Sequence, residues 1–162
     1  PGPNSLAGAN GAYQPVLVDG EPHELLHTDR TARGHIEWFP AHPHEGMVSE
    51  NPPLARAIAK GRSTATGRLF NLAVVVDGER CPAGRPLRRA VAESTFHHFA
   101  DYNWDLTAGA PSFVSDPPGT QIAADPARLA VFKGYVANIA RWLHPVSTTG
   151  FQGSVQAASR RS

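Results

Sequence analysis

Residues 69–77, LFNLAVVVD, are apolar and β-branched almost throughout and close on Asp77-Gly78, a turn pair. A strand with one wet face alternates apolar and polar residues. This run does not, so it is expected to be buried on both faces. Covering layers are then required, and helices supply them. One helix is plainly written in the chain. Asp125 suits the N-cap and Pro126 the first helical position. Leu129, Phe132, Val136, Ile139 and Leu143 recur at helical spacing and give one apolar stripe. Gly134 weakens this helix by up to ~1 kcal/mol relative to Ala, a cost that close packing would explain. Pro145 stops it.

Residues 1–12, rich in Gly, Pro, Asn and Ala, read as a flexible lead-in, 13–146 as one α/β domain and 147–162 as a loose tail. Residues 13–18 form a short strand closed by Asp19-Gly20, with Pro15 at an edge or at the strand start. A helical turn is expected around Leu25-Leu26, and HIEWF at 35–39 is a strand ended by Pro40. After the break at Asn51-Pro52-Pro53, residues 54–60 are expected to make one or two helical turns capped by Gly61. Residues 87–93 are the next strand and a neighbour of 69–77. Helix is expected from Ser94, which can cap it.

The chain has 162 residues, enough for one domain with a sizeable core, and 41% of them are apolar, which excludes a wholly disordered chain. The formal net charge of +1 gives no field that would favour nucleic acid or membrane. No apolar run approaches the ~20 residues of a membrane span. The single cysteine, Cys81, permits neither an internal disulfide nor a cysteine zinc cluster, and leaves the compartment open. The start has no signal-peptide layout and no Met, so the chain reads as a fragment or a processed product.

Chemistry concentrates in two stretches. In His42-Pro43-His44-Glu45, an extended backbone would turn both imidazoles the same way. His42 and His44 could ligate one zinc, iron or manganese ion, with Glu45 as a base; the plainer reading is a polar loop. In 94–103, a helix would bring Asp101 to His97 (four apart) or His98 (three apart). Asp101 could then orient a metal ligand or general base, or it could merely satisfy loop backbone. Convergence of the two stretches would make a pocket with His42, His44 and His97 toward a metal and His97, His98, Asp101 and Glu45 toward catalysis. His35 and Asp105 are lesser candidates. The run 61–68, with hydroxyls and two arginines between glycines, could hold an anion but lacks phosphate-loop spacing. Trp38, Trp104 and Trp142 fit packing better than a sugar platform.

Three stretches in order, HELLHTDRTARGHIEWFPAHPHEG, GRLFNLAVVVDGE and RRAVAESTFHHFADYN, followed by the 125–143 helix, resemble the C-terminal half of class I glutamine amidotransferase-like proteins, trehalose-utilisation branch. Ala90-Val91-Ala92-Glu93-Ser94 stands where that family ends a strand in an acidic-Ser pair. The resemblance implies a flavodoxin-like three-layer sandwich, partial or reduced here because the first strands are missing. It does not carry amidotransferase activity: Cys81 is not on a strand-to-helix turn, and His42-Pro43-His44-Glu45 only loosely echoes the family's His-x-Glu pair.

Two readings follow. One is a metal-assisted hydrolase acting on a small polar or carbohydrate-related molecule. The other is a non-catalytic binding or structural module of a larger protein. Pairing with a missing N-terminal half, or with a second copy, is expected in either case.

Overall fold

The computed structural model describes residues 11–41, 48–64, 66–77, 89–109 and 119–144. Helices and antiparallel sheets are combined. β1 (Tyr13–Pro15) pairs with β2 (Trp38–Pro40) in one two-stranded sheet. β3 (Arg56–Arg62), β4 (Leu69–Val76) and β5 (Ala90–Glu93) form a second sheet in that order. The chain leaving β1 joins the two: Leu17 and Lys60 exchange backbone hydrogen bonds of 2.8 and 2.9 Å. Every strand pairing among the described residues is antiparallel.

β4 meets the expectation from its composition. Leu72, Ala73, Val74 and Val75 are consecutive and all buried, so both faces of the strand are covered. Its partner β3 corrects the helical expectation for 54–60. Leu, Ala, Arg and Lys favour helix locally, but the difference per residue is only a few tenths of a kcal/mol. Pairing with β4 engages the backbone from Arg56 to Arg62 and buries Ile58 and Ala59, which decides the matter. Ile58 on β3 and Leu72 on β4 are each extra residues in the ladder, two compensating irregularities that place both side chains in the core. Gly61 is a strand residue rather than a cap. A Cβ there would run into the Gln14 side chain and stand 2.7 Å from the Phe70 ring.

α1 (Asp101–Trp104), α2 (Gln121–Ala124) and α3 (Pro126–Leu143) follow. α3 packs across β2 and a 3-10 turn at Glu24–Leu26, the turn expected around Leu25-Leu26. Its buried residues are Leu129, Val131, Phe132, Tyr135 and Trp142, with Val136 and Ile139 partly covered. The expected stripe therefore holds except at its end, where Leu143 is exposed and Trp142 turns inward. Asp125 stands at the N-cap position, yet its carboxylate makes no cap bond and instead meets Arg128 at 3.0 Å. Nothing lies within 4 Å of a Cβ built on Gly134, so close packing does not account for that glycine. At the core, Phe39 contacts Phe132, Tyr135 and His98 at centroid distances of 5.2, 4.9 and 5.2 Å.

Gly11 and Ala12, expected within the lead-in, are hydrogen-bonded into the fold. Gly11 accepts from Ile122 N–H at 2.9 Å and Ala12 from Ala41 N–H at 2.9 Å. Residues 1–10 and the expected tail at 147–162 lie outside the described residues.

Candidate functional site

The stretch after β5 is not one helix. Thr95, not Ser94, caps a 3-10 turn at Phe96–Phe99 by accepting from His97 N–H at 3.1 Å. Ala100 is extended, and only then does α1 begin. That break undoes the expected three- and four-residue spacings. Asp101 is exposed and accepts from Tyr102 N–H at 2.7 Å, and no hydrogen bond or ion pair joins it to either histidine. His97 is buried, stacked on Phe96 at 3.9 Å, with Nδ1 hydrogen-bonded to the Tyr102 hydroxyl. Asn103 and Trp104 tie the turn down by donating to the His97 and His98 carbonyls at 3.1 and 2.6 Å. Asp105 caps the next turn through Thr107. His42, His44, Glu45 and Cys81 lie outside the described residues, so the expected convergence of the two histidine stretches does too.

His98 belongs to a buried polar trio. The Tyr135 hydroxyl donates to Glu93 Oε1, and Glu93 Oε2 stands 3.7 Å from His98 Nδ1. Burial raises the Glu93 carboxyl from 4.5 to about 8, against the opposing pull of the Tyr135 hydrogen bond. Burial, with the neighbouring His97, lowers His98 from 6.5 to about 3. Burial and Glu93 push the Tyr135 hydroxyl well above 10. At neutral pH the trio is therefore uncharged, which is how ionisable groups are accommodated beside Phe39 and Phe132. Its rings pack in the core, with Phe39 and Phe132 against His98 at centroid distances of 5.2 and 6.4 Å.

Other marked residues are also engaged in structure. The 61–68 run closes the β3–β4 turn: Thr66 N–H donates to Ser63 Oγ at 3.1 Å, and Arg62 to the Gly67 carbonyl at 2.7 Å. Trp38 lies under Arg128 at 4.4 Å and Trp104 under Lys133 at 5.3 Å. His35 borders a groove of about 620 Å³ in which Lys60 meets Asp19 at 2.7 Å, Arg33 meets Glu37 at 3.3 Å and Arg62 donates to the Gly67 carbonyl.

Ligating groups gather elsewhere, at the C-terminal end of α3. His23, Glu24 and Asp77 each bring one ligand atom into a set whose members lie within 4.8 Å of one another. Asp77 stands where β4 ends; His23 and Glu24 open the 3-10 turn. α3 holds that turn in place. Asn138 donates to the Leu25 and His27 carbonyls at 3.0 Å each, and Trp142 Nε1 donates to Glu24 Oε1 at 2.8 Å. His23 meets the Trp142 ring edge-on at 5.6 Å. Arg89 lies over the same indole at 4.8 Å, donates to the Trp142 carbonyl at 3.0 Å, and comes within 3.6 Å of Asp77 Oδ1. Beside the triplet is a cavity of about 280 Å³ lined by Glu24, Leu25, Arg89, Asn138, Arg141 and Trp142.

One imidazole and two carboxylates suit zinc, iron or manganese. The present hydrogen bonding sets a condition. His23 Nδ1 accepts from Leu25 N–H at 3.2 Å, so a neutral ring carries its proton on Nε2. A cation on Nδ1 would displace that N–H. A cation on Nε2 would move the proton to Nδ1 and turn an acceptor into a donor. Either way the bond must open and leave a buried N–H without its acceptor, at about 1–3 kcal/mol. That is small beside the binding energy of a divalent ion, and the donor set fits.

Sequence reasoning read His23-Glu24 only as part of a helical turn and Asp77 only as a turn residue. Both are polar groups at element ends, but nothing local links them. No protein-family model, no curated protein and no solved structure matches this chain. No helix among the described residues is long and apolar enough to cross a membrane.

Proposed function

We propose that this chain is a metal-assisted hydrolase domain acting on a small polar molecule, with His23, Glu24 and Asp77 as metal ligands. The observation that carries the reading is the gathering of those three ligand atoms within 4.8 Å of one another beside a small-molecule-sized cavity. A bound divalent cation would supply Lewis acidity and a water acidified toward neutral pH. The chain's own groups do the rest. Trp142 holds the Glu24 carboxylate in place by donating to one of its oxygens at 2.8 Å. Arg89 stands next to Asp77 and fronts the cavity, where it can draw in an anionic group. The amidotransferase-like, three-layer architecture remains part of this proposal. The sequence pattern through Glu93-Ser94 supports it, and the two- and three-stranded antiparallel sheets do not add to it.

A non-catalytic binding or structural module is the second reading, favoured by the complete burial of His98 and the near-complete burial of His97 in packing. Zinc titration followed by nuclear magnetic resonance separates the two. Stoichiometric zinc that survives dialysis, is lost in His23→Ala and Asp77→Asn, and shifts the Leu25 amide resonance supports the metal centre. A chain that retains no metal and leaves the Leu25 amide unmoved refutes it.

A further inference from the structure

We infer that His27 and His35 form a metal site of their own, a two-imidazole chelate for copper(II) or nickel(II) that opens onto the groove they line. It shares no residue with the His23, Glu24 and Asp77 set and does not depend on it. His27 and His35 face one another across an antiparallel bridge. Backbone bonds flank the pair instead of joining it: Thr28 N–H donates to the Gly34 carbonyl at 3.1 Å and Ile36 N–H to the Leu26 carbonyl at 2.8 Å. That is the non-hydrogen-bonded register, in which facing side chains leave on the same side with Cβ atoms about 4.5–5.5 Å apart. Both side chains line the groove of about 620 Å³. Two imidazoles at that spacing can span one ion through metal–nitrogen bonds of about 2.0–2.1 Å.

The hydrogen bonds decide which ring nitrogens are available. His27 Nε2 lies 3.2 Å from the Pro22 carbonyl, and His35 Nδ1 lies 3.2 Å from the Arg33 carbonyl. A carbonyl only accepts, so each of those nitrogens carries the proton of the neutral ring. His27 Nδ1 and His35 Nε2 keep their lone pairs, and neither has a hydrogen-bond partner among the described residues. A bond from the second ring nitrogen to a backbone carbonyl is also what orients a metal-bound imidazole. At His23 a bond must open before a cation binds; here none does. The backbone beneath the pair is already fixed. Asn138 donates to the His27 carbonyl at 3.0 Å, Thr31 Oγ1 donates to the His35 carbonyl at 2.6 Å, and Gly34, at φ 71°, shapes the turn between them. Binding therefore orders little beyond the two rings. The one set of three ligating groups among the described residues lies elsewhere, so no carboxylate completes this pair. Two nitrogens with the other positions left to water or oxygen suit the tetragonal shells of copper(II) and nickel(II), and copper(II) binds most tightly of the first-row divalent ions. Those other positions go to water or to the oxygen of a small molecule in the groove.

Copper(II) added in substoichiometric amounts and followed by nuclear magnetic resonance tests this, because the paramagnetic ion broadens the resonances nearest to it. The Thr28, His35 and Ile36 amides should be lost first. In calorimetry with nickel(II), His27→Ala and His35→Ala should each weaken binding at this site on the order of a hundredfold, since a one-point contact replaces a two-point one. The double variant should lose far less than the two losses added together, because either change alone already breaks the chelate. Affinity that falls with only one of the two substitutions overturns the chelate. Copper(II) that broadens the Asp77 amide first, or binding that neither substitution touches, overturns the site and leaves the His23, Glu24 and Asp77 reading where it stood. The copper(II) measurement needs no variant, so a substitution that harms folding does not shield the inference.

Discussion

Replacing Glu93 by Gln tests whether the buried trio is held uncharged. Two titrations shape the pH dependence of stability around it. Glu93 is raised by burial from 4.5 to about 8, so between those values the folded chain keeps a proton that the unfolded chain has released. Its contribution is full below pH 4.5 and is lost as pH rises toward 8, by about 1.4 kcal/mol per pH unit. His98 is lowered from 6.5 to about 3, so in that window the unfolded chain binds a proton that the folded chain refuses. Its contribution is full above pH 6.5 and is lost as pH falls toward 3. Between pH 4.5 and 6.5 the two slopes oppose one another, and the trio contributes a plateau. From pH 6.5 to 8 only Glu93 remains, and stability should fall by about 2 kcal/mol. Glu93→Gln keeps an acceptor for the Tyr135 hydroxyl but does not titrate. Its stability should stay level above pH 6.5 and should slope upward with pH below that, where the His98 term is no longer cancelled. Urea unfolding of both proteins across the pH 4.5–8 window gives the comparison directly. Parallel curves for wild type and Glu93→Gln across that range would show that Glu93 is not protonated in the fold, and the reasoning would fail.

Two further outcomes follow from backbone and packing. Gly134→Ala should stabilise the chain by about 0.5–1 kcal/mol in urea unfolding, because the helix interior disfavours Gly and a Cβ there meets nothing within 4 Å; a loss of stability would mean that the face carrying Gly134 is in contact after all. Gly61→Ala should instead destabilise by about 1–3 kcal/mol, since its Cβ would be driven into Gln14 and within 2.7 Å of Phe70 between two paired strands; a neutral result would show that those side chains can move aside.

How much could be read along the chain depends on how local the deciding forces are. β4 and α3 are written in runs whose hydrophobic pattern has one good solution each, and their ends match the expected Asp77 and Pro126 closely. β3 is the opposite case. Its residues prefer helix by small increments, and only the row of backbone groups on β4 turns them into a strand. The 94–103 stretch failed for a related reason. One extended residue, Ala100, rotates Asp101 away from the histidines, and what favours that break is the anchoring of Asn103 and Trp104 on the turn carbonyls.

The sequence by itself determined that one strand would be hidden on both faces, that one amphipathic helix would run from Pro126, and that polar and imidazole groups would crowd the end of β5. Hydrophobic periodicity and capping are short-range properties, so they survive without knowledge of the fold. Only the tertiary structure decided what those groups could do. It placed His98 and Glu93 in a medium that removes their charge, and it brought His23 and Glu24 to Asp77, at the far end of another strand. Burial and long-range proximity are properties of the packed chain as a whole, and no single stretch of it contains them.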